Sequence, residues 1–245
     1  TVLLLEGWYW PDYSTSELGI VLLSGYVGIA VADTWFLRAL HLMGASRTGV
    51  VASLLSPFVI FLSILFLGES LRGWQVVGFI LVMCGILLVT WRQPRQEIEP
   101  EQVRLGLFYG IGSVFLMAVG VVMVKEILET RSFMWTTEIR LAGGLAGMLI
   151  YTTLRRRWPQ VRACFARPLP WKPIIFASFL STYVSMMMWL AGYKLIPASV
   201  ASVLNESANA WIVLLAWLML GESIGLRKLA GLALALGGVV IMLLV

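Results

Sequence analysis

Eight apolar runs, each about as long as a membrane is thick, constrain this chain more than any other feature. They lie at roughly 18–40, 46–67, 73–91, 104–124, 133–153, 173–195, 198–220 and 226–245. A helix rises about 1.5 Å per residue, so about 20 residues cross the roughly 30 Å of hydrocarbon in a bilayer. Backbone groups find no water there and must be satisfied within the segment. We therefore expect an all-α fold, a polytopic membrane helix bundle of about eight spans.

The composition agrees and excludes several classes of protein. Hydrophobic residues make up 60% of the chain and charged residues 13%, whereas about a quarter of the residues are charged in soluble domains. The only cysteines, Cys84 and Cys164, exclude a disulfide framework. With His41 as the single histidine, we expect no metal site and no cofactor.

An internal repeat organises the chain. Gly68-Glu69-Ser70 recurs 153 residues later as Gly221-Glu222-Ser223, and the same shift pairs further alanine, serine and glycine positions without a gap. Five apolar runs separate the two tripeptides, and an odd number of crossings puts them on opposite sides of the bilayer. The sequence thus predicts inverted repeats, as in many secondary transporters. We divide it into an incomplete first repeat at 1–92, a polar linker at 93–104 and a second repeat at 105–245.

Particular residues in both repeats carry a family resemblance. The octapeptide from Asp33, then Gly44-Ala45-Ser46-Arg47, Pro57 and Gly68-Glu69-Ser70 follow one another in the order and spacing of an EamA-type repeat. The second copy is similar, although Ala210 stands where the first has Pro57. The chain therefore resembles the EamA-type transporters of the drug/metabolite transporter superfamily. The first copy shows three helices and a stub, so we expect one to two N-terminal helices to be missing from it.

The resemblance implies a function. It points to a carrier with two inverted five-helix repeats, a secondary active transporter that moves a small metabolite or drug-like solute by alternating access. Metabolite export across the cell (plasma or inner) membrane is the expected setting. The partners expected are a small-molecule solute and the lipid bilayer, with proton or ion coupling and a homodimer left open. A helical channel or receptor-like bundle and, last, an intramembrane enzyme are the alternatives.

The basic residues lie in connectors rather than on one surface, so we expect no nucleic-acid partner. The connectors on one predicted side carry Arg47, Arg92, Arg95, Arg104, the basic stretch 155–172, Arg227 and Lys228. Cytoplasmic loops carry the excess of arginine and lysine in membrane proteins. We therefore place that side in the cytoplasm.

The run 198–220 carries a polar stripe. Its members recur at steps of three and four and are Ser199, Ser202, Asn205, Glu206 and Asn209. An ionisable group inside a span normally faces a cavity or a partner. We expect Glu206 to line the substrate pathway, where it contacts a cationic group or takes up a proton. For the amides and hydroxyls, hydrogen bonding between packed helices is an equal alternative.

Further pathway candidates lie on other runs. The shift of 153 residues aligns Ser53 with Glu206 and Ser56 with Asn209, so the two helices should face one another, and Pro57 should kink the first. Asp33 is a second-rank candidate. Tyr183 and Trp189 could stack on a flat solute, although packing is the commoner role of such residues.

The two Gly-Glu-Ser corners are expected to be structural. Gly68 and Gly221 would end a helix in the left-handed conformation, Ser70 and Ser223 would cap the next one, and Glu69 and Glu222 would lie near a helix N-terminus. No GxSxG turn and no phosphate-binding glycine loop occurs in the sequence, so we do not expect an enzyme.

Overall fold

The computed structural model describes residues 12–90, 99–166, 170–220 and 225–244, and within these stretches it is helical without any strand. The α-helices are α1 (Thr15–Gly25), α2 (Ala32–Ala52), α3 (Leu55–Leu67), α4 (Gly73–Thr90), α5 (Pro100–Thr130), α6 (Phe133–Leu154), α7 (Trp158–Phe165), α8 (Trp171–Ser178), α9 (Ser185–Leu195), α10 (Ala198–Leu220) and α11 (Leu226–Leu244). A π-helical turn joins α1 to α2, and another joins α8 to α9.

Several helices have the length and apolarity of membrane spans. Among the residues that the structure describes, four stretches qualify outright: Thr15–Gly44, Arg47–Leu67, Pro100–Thr130 and Trp171–Leu195. Two shorter apolar helices, Gly73–Leu88 and Leu229–Leu243, accompany them. The fold is therefore that of a membrane helix bundle, and the helices coincide with the apolar runs of the sequence. The extra short helix, α7, lies in the basic connector.

Two sequence features explain the breaks between the first helices. Gly44 interrupts α2 with a φ of 78°, a conformation that suits glycine because it lacks a Cβ. The next break falls at Ser53 and Leu54. Pro57 has no N–H to donate to the Ser53 carbonyl, so it occupies the first turn of α3, where that hydrogen bond is not needed. The break therefore interrupts the span Arg47–Leu67 at the carbonyl group that Pro57 leaves without a donor.

Helices α4 and α11 pack backbone to backbone through glycines. A methyl group added at Gly78 would lie 2.7 Å from the carbonyl oxygen of Gly238, and one at Gly85 would lie 2.5 Å from that of Gly231. The earlier glycine of one helix meets the later glycine of the other, so the two helices run antiparallel. Small residues permit such close contact in membranes, where packing drives helix association.

The stretch Thr15–Gly44, which we call the first π-bulge helix, is held between α5 and α6. A methyl group at Gly25 would lie 1.9 Å from the Arg140 carbonyl oxygen, and one at Gly143 would lie 2.3 Å from that of Leu22. On the other side, Gly28 and Gly120 meet with their backbones in contact. The largest buried apolar cluster continues from here into α3 and the start of α10.

The stretch Trp171–Leu195, the second π-bulge helix, has a different environment. Only 6% of its apolar window is buried, compared with 33% for the first π-bulge helix. Its C-terminal part provides the firmest contacts, through Leu190 and Tyr193, which are almost fully buried.

Candidate functional site

The two π-helical turns occupy equivalent positions in the repeat. They span Tyr26–Val31 and Phe179–Val184, and the shift of 153 residues that superposes the Gly-Glu-Ser corners superposes these turns as well. A π-turn inserts one extra residue into a helix, and such bulges are frequent at functional sites. No pattern in the sequence predicted these two π-turns.

Both turns open onto one cavity of about 310 Å³. The same three positions of each π-bulge helix line it: Gly28, Ile29 and Asp33 from the first, and Ser181, Thr182 and Met186 from the second. The rest of the wall comes from α3, α5, α6, α9 and α10, through Leu55, Met117, Arg140, Ser185, Trp189 and Asn205. A mostly apolar wall with a few polar groups, at this size, is typical of small-molecule sites.

Arg140 is the most deeply buried cation in the described part of the chain, with 1% of its side chain exposed. Its Nη1 donates to the carbonyl oxygen of Gly120 and to the hydroxyl of Ser24 at 3.2 Å. Its Nη2 fits against Gly28, where an added methyl group would approach it to 3.0 Å. Its Nε has no hydrogen-bond partner among the described residues. The guanidinium is therefore fixed by one nitrogen and retains unused donors.

Asp33 lies on the first π-bulge helix, two residues beyond the π-turn, and is half-buried at the cavity wall. It forms neither of the two ion pairs found among the described residues, which are Lys125–Glu129 and Arg131–Glu17. The cavity wall thus includes one acidic and one basic side chain, Asp33 and Arg140, which lie on different helices.

Glu206 follows the wall residue Asn205 in α10 and does not itself line the cavity. Its carboxylate accepts a hydrogen bond from Ser56 Oγ at 3.3 Å, and Ser56 also donates to the Ser202 carbonyl oxygen at 3.0 Å. Only 5% of Glu206 is exposed. The structure therefore brings the equivalent helices of the two repeats together, with the carboxylate at their crossing. The side chain of Asn209 lies outside the described residues.

The remaining candidates are distributed around this centre. Trp189 lines the cavity and stacks edge-on against Tyr193, with ring centroids 4.9 Å apart. Tyr183 does not line it, because its hydroxyl donates to Glu138 at 3.0 Å and its ring stacks on Phe179. Ser53 donates to the carbonyl of Val50 and remains within its own helix turn.

The first Gly-Glu-Ser corner joins the two halves of the chain. Gly68 ends α3 with a φ of 65°. The Glu69 carboxylate accepts hydrogen bonds from the backbone N–H of Ala198 at 2.7 Å and of Ser199 at 2.9 Å, and from the Ser199 hydroxyl. Glu69 therefore caps α10 of the other repeat, whereas α4 begins only at Gly73 and Ser70 does not cap it. Gly221, Glu222 and Ser223 lie outside the described residues.

Two further contacts lie at the end of the bundle where Glu69 caps α10. Lys125 donates to the Ile196 carbonyl oxygen at 2.9 Å and pairs with Glu129. Arg131, just after α5, donates two hydrogen bonds to Glu17, and these raise the pKa of its guanidinium above the ordinary value. Helices of both halves are thus in contact at this end of the bundle.

Sequence reasoning named Asp33, Trp189 and Asn205, which the structure places on one cavity wall. It missed Arg140, Ser181, Thr182 and Ser185 as wall residues. A charge seven residues into a span was an available signal for Arg140, whereas the three hydroxyl residues depend on the π-turn. Within the described residues, no group of three metal-ligating side chains occurs.

The family comparison agrees with this architecture. The sequence profile of the EamA-like transporter family matches residues 1–91 and 104–244. No curated protein matches the chain. One similar solved structure is a crystal structure of a protein with 19% identity and a TM-score of 0.74, in a match that covers 94% of this chain and 78% of that one. At that identity the likeness concerns the fold alone. Since the family profile covers nearly the whole sequence, the chain belongs to the EamA-like transporter family, whose members are membrane transporters of small solutes.

Proposed function

We propose that this protein is a secondary carrier of a small solute, which binds in the cavity between the two π-bulge helices and crosses by alternating access. One observation carries the proposal: equivalent positions of the two repeats, from Gly28 with Ser181 to Asp33 with Met186, line the same cavity. In transporters built from inverted repeats, the solute site lies between the repeats and near the middle of the membrane.

The proposal includes two inverted repeats, and the glycine contacts support it. Gly78 and Gly231 are equivalent by the shift of 153 residues, and so are Gly85 and Gly238. Gly78 contacts Gly238, which is the equivalent of Gly85, and Gly85 contacts Gly231, which is the equivalent of Gly78. A twofold axis in the membrane plane between α4 and α11 would produce this exchange, because it maps each helix onto an antiparallel partner.

Alternating access requires that one end of the cavity be closed at a time. The contacts of Glu69 with α10 and of Lys125 with Ile196 support closure at the end of the bundle to which they belong. We propose that these contacts break when the cavity opens there. We also propose that the site faces the cell membrane's two aqueous sides in turn, with the basic connectors in the cytoplasm.

We assign Glu206 a role in coupling. Its carboxylate lies at the crossing of the equivalent helices, bonded to Ser56 of the first repeat. Protonation would weaken its acceptance of that hydrogen bond, so a proton could shift the balance between two packings of the same pair. Asn205, the preceding residue of α10, lines the cavity.

Solute counterflow tests the carrier. The full protein is placed in liposomes that contain a millimolar panel of unlabelled amino acids, amines, carboxylates, sugars and nucleosides. We expect at least one labelled member to accumulate transiently and saturably above its equilibrium level. A channel would give equilibration without overshoot, and an enzyme would give a product instead. The absence of both overshoot and saturation for every class would overturn the proposal.

Cysteine accessibility tests the inverted arrangement. In a background without Cys84 and Cys164, Ser70→Cys and Arg156→Cys are labelled with an impermeant maleimide on intact cells and on inverted vesicles. We expect Ser70→Cys to react from outside and Arg156→Cys from the cytoplasm. Because both residues are exposed, poor reactivity from both sides is not expected. Labelling of the two positions from the same side would contradict the proposed topology.

A further inference from the structure

The connector between α6 and α8 has the densest positive charge in the chain. Residues 155–172 contain no acidic residue and six basic ones, which are Arg155, Arg156, Arg157, Arg162, Arg167 and Lys172. Those whose side chains the structure describes are exposed, and neither of the two ion pairs found among the described residues involves them. The connector therefore presents positive charge that no described acidic side chain pairs with.

Helix α7, which lies within this connector, is amphipathic. Trp158, Val161 and Phe165 recur along it at steps of three and four, so they share one face, which we call the apolar stripe. Its two large side chains are uncovered, since Trp158 is 40% exposed and Phe165 is 65% exposed. Arg162 follows Trp158 by one turn and is exposed beside the stripe. An apolar stripe flanked by a cation is typical of helices that lie in the surface of a membrane.

Aromatic contacts connect α7 to both neighbouring helices. The indole nitrogen of Trp158 donates to the Thr153 hydroxyl, near the end of α6, at 3.2 Å. The Phe165 ring stacks on Trp171, the first residue of α8, with ring centroids 5.4 Å apart and ring planes at 7°. Trp171 also begins a stretch that is long and apolar enough to cross a membrane. We therefore place α7 at the level where tryptophan side chains meet the lipid headgroups.

Two arginines before α7 are held by a ring rather than by an acid. The guanidinium carbons of Arg155 and Arg157 lie 6.0 and 5.8 Å from the centroid of the Tyr151 ring. Such a contact attracts the charge of a guanidinium but does not use all of its N–H donors. The planar fork of donors matches the oxygens of a phosphate group. Both side chains are therefore suited to bind a phosphate.

We propose that α7 lies in the membrane surface and that the basic residues around it bind anionic phospholipids through their phosphates. The apolar stripe then enters the boundary between headgroups and acyl chains, while Arg155, Arg157 and Arg162 remain at the phosphates. Charge complementarity selects this partner, because a connector with six basic residues and no acidic one is attracted to a surface of net negative charge. The cytoplasmic leaflet carries such lipids, which agrees with the side proposed for the basic connectors.

Lipid binding to the full protein tests the partner. The protein in detergent is titrated with phosphatidylglycerol, phosphatidylethanolamine or phosphatidylcholine of the same acyl chains, and bound lipids are counted by native mass spectrometry. We expect phosphatidylglycerol to bind at about tenfold or more lower concentration than the two zwitterionic lipids, since each basic residue near an anionic surface contributes about fivefold. Millimolar inorganic phosphate should not compete, because it lacks the apolar contact. Equal binding of the three lipids, or full competition by phosphate, would overturn the proposal.

Charge variants locate the binding surface. Arg157→Gln should weaken phosphatidylglycerol about fivefold, and adding Arg155→Gln and Arg162→Gln should bring the loss to about a hundredfold, with phosphatidylcholine unchanged. All three side chains are exposed, so we expect the variants to fold. Arg104→Gln is the matched control for the single variant, because Arg104 is an exposed cation at the start of α5. Equal losses in Arg157→Gln and Arg104→Gln would mean that the attraction is general and not a property of this connector.

Spin labels test the position of α7. In a background without Cys84 and Cys164, a label at Val161→Cys, on the apolar stripe, is compared with one at Ala163→Cys, about 200° around the helix. In nanodiscs that contain phosphatidylglycerol, we expect the first label to be accessible to oxygen and protected from a water-soluble nickel complex, and the second to show the reverse. Equal accessibility of both labels to nickel would overturn the surface position. Neither readout involves transport, so these results and those of solute counterflow are independent.

Discussion

The two π-bulge helices have the same backbone design and opposite environments. Each contains one π-turn, at positions 153 residues apart, and each lends the same three positions to the cavity. The first is clasped by α5 and α6 through Gly25, Gly28 and their partners, whereas the second is largely exposed. The π-turn is therefore present in both helices although only the first is closely packed. This indicates that the π-turn serves the cavity rather than the helix contacts.

The same contrast extends to chemistry. Asp33 of the first helix corresponds to Met186 of the second, and Ser53 of α2's end corresponds to Glu206 of α10. The acidic residue therefore belongs to the first repeat in one of these pairs of equivalent positions and to the second repeat in the other. A scaffold with repeated geometry can move between two related conformations, while unequal side chains make the two halves of the proposed site chemically different.

Equivalent substitutions in the two π-bulge helices should have very different effects on stability. Gly25→Ala places a methyl group 1.9 Å from the Arg140 carbonyl oxygen, so the backbone of one of the two packed helices has to shift. We expect a loss of about 3 kcal/mol in the free energy of unfolding. Ser178→Ala, at the equivalent exposed position, should change it by less than about 0.5 kcal/mol. Unfolding in mixed micelles with increasing SDS measures both.

The measurement also tests the comparison itself. If Ser178→Ala destabilised the protein as much as Gly25→Ala, the second π-bulge helix would have to be packed as closely as the first. Retained tryptophan fluorescence at low SDS serves as the control that both variants fold before titration.

The next largest effect is expected at the corner that joins the repeats. Glu69→Gln keeps the shape of the side chain but removes the charge that accepts two backbone bonds and one hydroxyl bond at the start of α10. We expect a loss of about 2 kcal/mol, since both a helix cap and charged hydrogen bonds are weakened. Ser199→Ala removes only one of the three bonds, so it should cost about 1 kcal/mol.

Glu126→Gln is the control for this corner, because Glu126 is exposed at the same end of the bundle. If the closing contacts belong to one conformation of a carrier, Glu69→Gln should also increase the reactivity of a cysteine placed at Ser185 from that side. Unchanged stability and unchanged reactivity together would mean that the Glu69 cap does not hold the repeats.

Much of the fold was predictable because the hydrocarbon of the bilayer, as the solvent, dictates the secondary structure. Within the described residues, the apolar runs of membrane length are helical, since lipid leaves the backbone no other partner. Two features escaped prediction for physical reasons. A π-turn adds one residue to a helix and has no characteristic composition. The sequence therefore could not predict that Ser181 and Thr182 line the cavity. The Glu69 cap joins residues about 130 apart, and a local rule assigned that acid to its own neighbouring helix.

The site was predicted less well than the fold. Asp33, Trp189 and Asn205 follow from polarity or aromaticity within an apolar run. Glu206 was identified by the same reasoning, but its position behind the wall depends on how α3 and α10 cross. Arg140 was visible as a charge in a span, although its role needed the neighbouring Gly28 and Gly120. Local rules therefore find the polar residues of a membrane site and do not rank them.

A moderate effect on transport is expected at Glu206. Glu206→Gln keeps the possibility of a hydrogen bond with Ser56 and removes the titratable group. We expect the rate of solute counterflow to fall about tenfold, which corresponds to about 1.4 kcal/mol, and its dependence on pH between 5 and 8 to flatten. Glu101→Gln is the control, and Ser53→Ala, at the equivalent position of the first repeat, should leave the pH profile unchanged. An unaltered profile in Glu206→Gln would remove this residue from the coupling proposal.

The smallest expected effect contrasts two corners with positive φ. Gly68 adopts a φ of 65° at the end of α3, and Arg156 adopts a φ of 51° after α6. Left-handed backbone costs a residue with a Cβ about 1 kcal/mol. Gly68→Ala should therefore lower the free energy of unfolding by about 1 kcal/mol, and Arg156→Gly should raise it by a comparable or smaller amount, because glycine also gains entropy in the unfolded chain. SDS titration of both variants checks the opposite signs. Equal signs would show that packing around Gly68, rather than its backbone conformation, determines which residue this corner accepts.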